Sequence, residues 1–343
     1  MKDFINKIGF PRFIIAIFLI CLILLAVFLK IPLSGLITDI LVRFGMNAIL
    51  VLAMVPAVQS GIGLNFNLPL GIVFGLIGAL ISIEFRLTGF KGLLVSMVIA
   101  IPLAAVAGYF YGKMLNKIKG QEMTVGTYIG FSIVSLMCIF WLLAPFKSPE
   151  LIWAYGGNGL RVTVSLESSI GHVLNDFWHF NIKKVVIPTG LLLFFALCAI
   201  IIWIYNKSKK GLSMRVAGSN EKFALSNGID VDRERIVGTM ISTVLAAIGI
   251  IVYSQAFGFL QLYNAPLYAA MPAVASILIG GASLHRAKII HVIIGTLLFQ
   301  SLLVVALPVI NIISEGSMSE VIRTIISNGI ILYALTRTGG EEA

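Results

Sequence analysis

The sequence predicts an all-α, polytopic integral membrane protein with about ten transmembrane helices, some of them broken or re-entrant. Three observations carry that prediction. Hydrophobic residues make up 59% of the 343 positions. Charged residues make up 12%, about half of what an ordinary soluble domain carries. The apolar residues are gathered into stretches near the roughly 20 residues that span a bilayer as a helix. Together these exclude a soluble enzyme, a secreted disulfide scaffold and a disordered chain. Cys21, Cys138 and Cys198 sit inside apolar runs, far from any metal-ligand spacing, and read as small hydrophobes.

In chain order the apolar stretches fall near 13–29, 40–59, 66–83, 92–112, 124–144, 185–205, 236–257, 267–283, 289–307 and 321–336. Lys2, Lys7 and Arg12 before the first resemble the head of a signal peptide. The run that follows is too long for one and lacks a small-x-small cleavage site, so it reads as a retained span. The second stretch holds Pro56, Asn47 and Gln59, the eighth holds Pro272, and the last is short. Such breaks survive in lipid only where neighbouring protein satisfies the freed backbone groups. With the N-terminus inside and ten spans, sixteen basic residues fall inside and nine outside, which favours both termini in the cytoplasm. Arg323, at the start of the last stretch, fits that topology least well. Two hydrophilic segments remain. An outside loop at 145–184 carries Trp153, Tyr155, Trp178 and several glycines, and its part 166–180 is expected to form a short helix on the membrane surface. An inside loop at 206–235 holds seven of the inward basic residues. Nothing marks a second domain, so 1–343 reads as one membrane domain.

Catalytic patterns are missing. His172, His179, His285 and His291 make no metal motif, there is no GxSxG elbow, and the glycines at 108 and 112 lack the spacing and hydroxyl of a phosphate loop. The chain therefore does not hydrolyse ATP by itself, and no catalytic or metal site is expected. Ionisable residues are nearly absent from the spans: Asp39, Arg43, Glu84 and Arg323 fall at span ends. That argues against proton-driven transport, less so against sodium coupling. The bulky amides Asn47, Gln59, Asn65, Gln255 and Gln300 are the candidate lining of a passage for an uncharged, hydroxylated solute; interhelical hydrogen bonding is the alternative for such groups.

The inside loop has its own local logic. Gly218 permits a turn, Asn220 is a good N-cap, Glu221 complements the helix dipole and Gly228 supplies a C′ stop. That defines a helix over 221–227, followed by a second cap at Asp230 or Asp232. It is too short to stand alone and must pack on its own membrane domain or on a partner.

The pattern Ala217-Gly218-x-Asn220-Glu221-x-x-Ala224-x-x-x-Gly228-Ile229-x-Val231 resembles the cytoplasmic loop of permease subunits of ATP-binding-cassette importers. The branch is that of ribose, other monosaccharide, nucleoside and autoinducer-2 importers, with more distant branched-chain amino-acid relatives. Asn47-Ala-Ile-Leu followed by Ser60-Gly-Ile-x-Leu64 is similar to the family's second-span region. Ile279-Gly-Gly-Ala-Ser283 followed by Gly295-Thr296-Leu297-Leu298 is similar to its late Gly-Gly-x-Ser and Gly-Thr pattern. The likeness covers roughly 40–300. It implies a bacterial inner-membrane permease that pairs with a second permease subunit, the same or a sibling. Two ATPase subunits, which bind ATP and Mg, would sit beneath, and an extracytoplasmic solute-binding protein would deliver the solute. By the same resemblance 221–227 is the coupling helix, with Gly218, Asn220, Glu221, Ala224 and Gly228 as coupling positions. No cofactor belongs to this chain and no nucleic acid is a partner. Sugar-type members often carry Asp and Ser where Gly63 and Asn65 stand here. The solute expected is a monosaccharide or similar small polar uncharged molecule. The alternatives are a nucleoside, autoinducer-2 or branched-chain amino acid, and, in another class, a self-sufficient channel or sodium-coupled carrier.

Overall fold

The computed structural model describes residues 10–153, 159–313, 321–322, 324–326 and 328–333. Helices occupy the apolar stretches: α1 (Phe10–Phe28), α2 (Leu33–Leu52), α3 (Met54–Gln59), α4 (Leu68–Glu84), α5 (Gly89–Leu115) and α6 (Glu122–Leu143). The outer loop then gives β1 (Thr163–Ser165), α7 (Val173–Asp176), β2 (Phe180–Ile182) and β3 (Val185–Ile187). After it come α8 (Thr189–Lys207), α9 (Lys209–Ser219), α10 (Glu221–Ser226) and α11 (Val231–Phe257). The chain closes with β4 (Phe259–Gln261), α12 (Asn264–Tyr268), α13 (Ala270–Ile279), α14 (Ile289–Ile313) and the apolar helix α15 (Thr324–Tyr333). Six helical segments are long and apolar enough to cross a membrane: Leu33–Gln59, which is α2 with α3, and α5, α6, α8, α11 and α14. The protein is a polytopic, all-α membrane protein.

Several boundaries differ from expectation, each for a local reason. The second span starts at Leu33, behind Pro32, and not near 40. Asp39 and Arg43 therefore lie inside α2 and not at its end. Pro56 lies in the first turn of α3, where its ring would clash with the carbonyl four residues back, so α2 stops at Leu52 and the helix restarts after Ala53. The sixth stretch opens with strand β3, and α8 begins at Thr189. The surface helix expected over 166–180 is reduced to the single turn α7. Its neighbours form β structure instead: β1 pairs antiparallel with β4 (Thr163 opposite Gln261), and β2 pairs with β3 (Phe180 opposite Ile187). Tyr155 and Arg323 lie outside the described residues.

The centre is α4, α5 and α11, packed by small residues. In lipid there is no hydrophobic force between helices, so close backbone approach has to supply the contact. Along α5 the buried Ala100, Ala104, Gly108 and Gly112 recur every fourth residue. A Cβ on Gly108 would lie 2.9 Å from Met240 Cα, and one on Gly112 2.9 Å from Ile236 Cα, both on α11. On α4, Gly71 and Gly75 meet α11 at Thr243 and Ala247, while Gly78 meets α5 at Ala100. The other face of α5 carries exposed Leu94, Val98 and Val106, and α1, α6 and α8 likewise expose large apolar side chains to the bilayer.

Gly108→Val is expected to weaken the α5–α11 contact by about 1–3 kcal/mol through overpacking, lowering the melting temperature in detergent. Val98→Ile on the lipid-facing side is expected to leave it unchanged.

Candidate functional site

The most polar part of the molecule is one end of the bundle, where α9, α10, the start of α11, the α5–α6 turn and the end of α3 meet. Ser208 caps α9 by accepting from Gly211 N at 3.2 Å. Asn220 then leaves the helical region (φ −154°, ψ 98°), and its Oδ1 accepts from Phe223 N at 3.0 Å, starting α10. Gly228, at φ 74°, ends the turn that follows. Of the two candidate caps for the next span, Asp230 is the one used: its Oδ1 accepts from Arg233 N at 3.0 Å. The helix read as 221–227 is thus Glu221–Ser226.

Gly218 does not make the expected turn. It lies within α9 and presses on the 59–61 segment, backbone to backbone. A Cβ there would collide with Gln59 O and lie 2.6 Å from Gly61 N. Gly61 has φ 81°, and a Cβ on it would stand 2.9 Å from Gly218 Cα. From the other side Gly238 of α11 abuts Ser60, with Pro56 O at 3.0 Å from where its Cβ would be. The end of α3 is therefore held between α9 and α11 with no room for a side chain. Beneath α10, Ala224 is fully buried against Ala217 and Val231, with Val216 and Ile229 around them. Its outer side shows Phe223 and Leu225, 56% and 57% exposed.

Ionic contacts tie these elements further. Lys119, in the α5–α6 turn, donates to Glu221 Oε1 at 2.7 Å and bridges to Asp232 Oδ1 at 2.9 Å. Asn116 Nδ2 donates to Asp232 O at 2.8 Å. All three charged groups are partly exposed, so each pair adds little and is screened by salt. The hydrogen bonds Lys119 donates to Glu221 and then to Asp232 raise its pKa above the ordinary lysine value. Their stabilisation is present below about pH 10.4 and is lost only as pH climbs through the raised value. Deeper in, Arg235, 5% exposed, pairs with Glu122 at the start of α6. Removing either partner would strand a buried charge. Lys119 and Glu122 escaped sequence reasoning because their partners lie about a hundred residues away and no spacing links them. A cavity of about 250 Å³ opens here between Ser60, Gly218, Glu221, Arg235 and His285.

The five amides do not converge. Asn47 Nδ2 donates to Arg43 O at 2.9 Å. Gln59 Nε2 donates to Ala287 O at 2.9 Å, joining the end of α3 to the segment before α14. Asn65 Nδ2 donates to Ser242 Oγ at 2.8 Å on α11. At the opposite end Gln255 Oε1 accepts from Leu174 N at 3.1 Å, fastening the outer loop to α11. Gln300 is buried in α14. None of the five lines the larger cavity, about 730 Å³, at the end of the bundle remote from α10. Among the described residues no three His, Cys, Asp or Glu side chains are grouped to hold a metal ion.

The family profile described as branched-chain amino acid transport system / permease component matches residues 36–335. The chain belongs to this permease family. It is 25% identical over 241 residues to the autoinducer 2 import system permease protein LsrC of Enterobacter sp. (strain 638), covering 70% of this chain and 63% of that protein. It is 26% identical over 246 residues to the protein of the same name in Photorhabdus laumondii subsp. laumondii, covering 70% and 65%. The chain thus spans just under two thirds of the length of these curated relatives. No solved structure matches it. The resemblances read from the sequence have a packing basis in this permease. Gly295 of α14 crosses α13 so closely that a Cβ would collide with Ser276 O and lie 2.8 Å from Gly280 N. The two halves of the late glycine pattern are one contact.

Gly218→Ala is expected to destabilise the permease by about 1–3 kcal/mol, because the new methyl meets backbone that cannot step aside. Gly35→Ala, with open space around it, is the control. Equal melting temperatures for the two would contradict the close crossing.

Proposed function

We propose that this chain is the membrane-spanning permease subunit of an ATP-binding-cassette importer for a small, polar, uncharged solute. All ten apolar helices cross or enter the membrane, both termini face the cytoplasm, and the α9–α11 end lies on that side. A second permease copy or sibling completes the pathway, and an extracytoplasmic binding protein delivers the solute against the 145–187 end. Two ATPase subunits, carrying the ATP and Mg, dock beneath α10. Autoinducer 2 is the first solute to try, since both matched relatives are named for its import; a monosaccharide comes second.

The observation that carries this reading is the two-sidedness of α10. Ala224 is sealed against the bundle while Phe223 and Leu225, large and apolar, stand in the open outside the spans. Exposed apolar groups on a polar, basic surface mark a place where another protein sits. Asn220, Glu221 and Gly228 fix the pose of α10, and Gly218 passes its displacement to α3 and hence to α2. ATP-driven closure of the ATPases would then rock the spans between outward- and inward-open states. In that scheme the five amides hold the walls of the pathway in register.

Phe223→Asp with Leu225→Asp is expected to leave insertion and melting temperature unchanged. Binding of the ATPase subunits should weaken about 100-fold, the size of a lost interface hot spot, and ATP-driven uptake should be lost with it. Undiminished uptake would refute the docking role. Solute flux through the purified chain alone, in liposomes, would instead favour a channel or sodium-coupled carrier.

A further inference from the structure

The outer loop carries an apolar, basic hairpin whose first strand stands clear of the bundle. Residues 176–184 are exposed without a break, and Phe177, Trp178, Phe180 and Ile182 among them are each at least half exposed. Strand β2 places Phe180 and Ile182 on one face of the hairpin and Asn181 on the other. A lone two-stranded hairpin is marginal in water. This one is fastened to the bundle by Val186 N donating to Thr38 Oγ1 of α2 at 3.0 Å, with Val185 and Ile187 half-buried. Its two-residue tip is Lys183-Lys184, since Ile182 stands opposite Val185. Lys183 has φ 55°, in the left-handed region where glycine or asparagine is the ordinary choice for such a tip. A charge therefore stands there against backbone preference. Between 173 and 187 the sole acidic residue is Asp176. Among the described residues neither lysine enters an ion pair.

The hairpin sits at the level where the spans begin. Pro188 alone separates β3 from α8, and α8 goes on to expose Leu193, Leu197 and Ile200 to lipid. Phe90, in the first turn of α5, stacks on Phe177 at 6.2 Å between ring centroids, and Phe177 stacks on Trp178 at 5.7 Å. Phe90, Leu94 and Val98 are exposed at a spacing of four and share one face of α5, so the aromatic row continues that lipid-facing stripe. We propose that residues 177–187 are an interfacial anchor, seated in the headgroup layer of the bilayer and held by anionic phospholipids. Trp178, Phe180 and Ile182 enter the boundary between headgroups and acyl chains, where aromatic rings are favoured. Lys183 and Lys184 extend to lipid phosphates, their apolar stems lying along the same surface. A water-soluble protein covering this patch would have to enter the bilayer beside α5 and α8, whereas lipid already reaches it. Through Thr38 the anchor sets the depth of α2 as well as that of α8. The inference needs the spans to cross a bilayer and does not depend on the importer reading.

The test uses the full-length chain, with Cys21, Cys138 and Cys198 replaced by alanine and a single nitrobenzoxadiazole label on Ile182→Cys or Asn181→Cys. Each is reconstituted in vesicles of equal parts phosphatidylcholine and phosphatidylglycerol, one or other lipid carrying a nitroxide near the headgroup end of its acyl chain. The label at 182 is expected to be quenched and its emission shifted to the blue, while the label at 181, on the opposite face of β2, stays aqueous. Quenching at 182 should favour nitroxide phosphatidylglycerol over nitroxide phosphatidylcholine by about fivefold for each lysine. Lys183→Gln with Lys184→Gln should bring the two lipids close to equality and leave the melting temperature unchanged. Aqueous emission at 182, equal quenching at 181 and 182, or a phosphatidylglycerol preference that is absent or untouched by the double substitution would each overturn the proposal. So would a label at 182 that is shielded only when an extracytoplasmic binding protein is added, which would assign the hairpin to that partner. The assay contains neither ATPase nor solute. A failed importer reading would therefore show in the Phe223 and Leu225 variants while leaving this result standing.

Discussion

The contact of Gly218 with the 59–61 segment is where the polar end of the molecule is joined to its spans. Two backbones touch there without a side chain between them, and Gly238 closes on the same segment from α11. Everything that moves α9 or α10 has to move the end of α3 with it, because a gapless backbone contact has no soft side chain to absorb displacement. The Lys119 bridges to Glu221 and Asp232 add direction to this joint, being weak singly but spread over three elements. The buried Arg235–Glu122 pair anchors α6 to the same place.

Away from the joint the bundle obeys the physics of lipid. Small residues at every fourth position of α5 let α11 approach, and glycines on α4 fill the remaining side of the trio. Some buried polar groups join distant parts of the chain, as Asn65 with Ser242 and Gln59 with Ala287 O. Asp39 and Arg43, the two charged residues of α2, line the larger cavity. The molecule thus has two differentiated ends: a close-packed polar joint at α10 and, at the other, an open cavity lined by Asp39 and Arg43. On the proposed importer reading, the first would be the driven end and the second the loaded end.

Much of this was legible in the sequence. The helices follow apolar stretches because hydropathy is a local property. Asn220 and Gly228 were readable as cap and stop because capping is written within four residues. What escaped was written across long separations. Gly218 reads locally as a turn former, and only the approach of Gln59 and Gly61 reveals it as a crossing point inside a helix. Lys119 reads as topology charge until Glu221 and Asp232 are folded against it. Asp39 and Arg43 read as a span end because apolarity alone cannot show that Pro32 starts the helix early. The outer strands were missed because three residues are too few to leave a periodic trace, and β1 pairs with a strand about a hundred residues away, Thr163 opposite Gln261.

On the proposed importer reading, motion would pass through the joint, and distances between spin labels in the proposed assembly with the ATPase subunits measure this directly. One pair, Lys117→Cys with Asn227→Cys, reports within the joint. A second, Arg43→Cys with Asn328→Cys, reports across the larger cavity. A rigid joint predicts that ATP binding leaves the first distance distribution unchanged and shifts the second. A shift confined to the first pair, with the cavity distance constant, would contradict it.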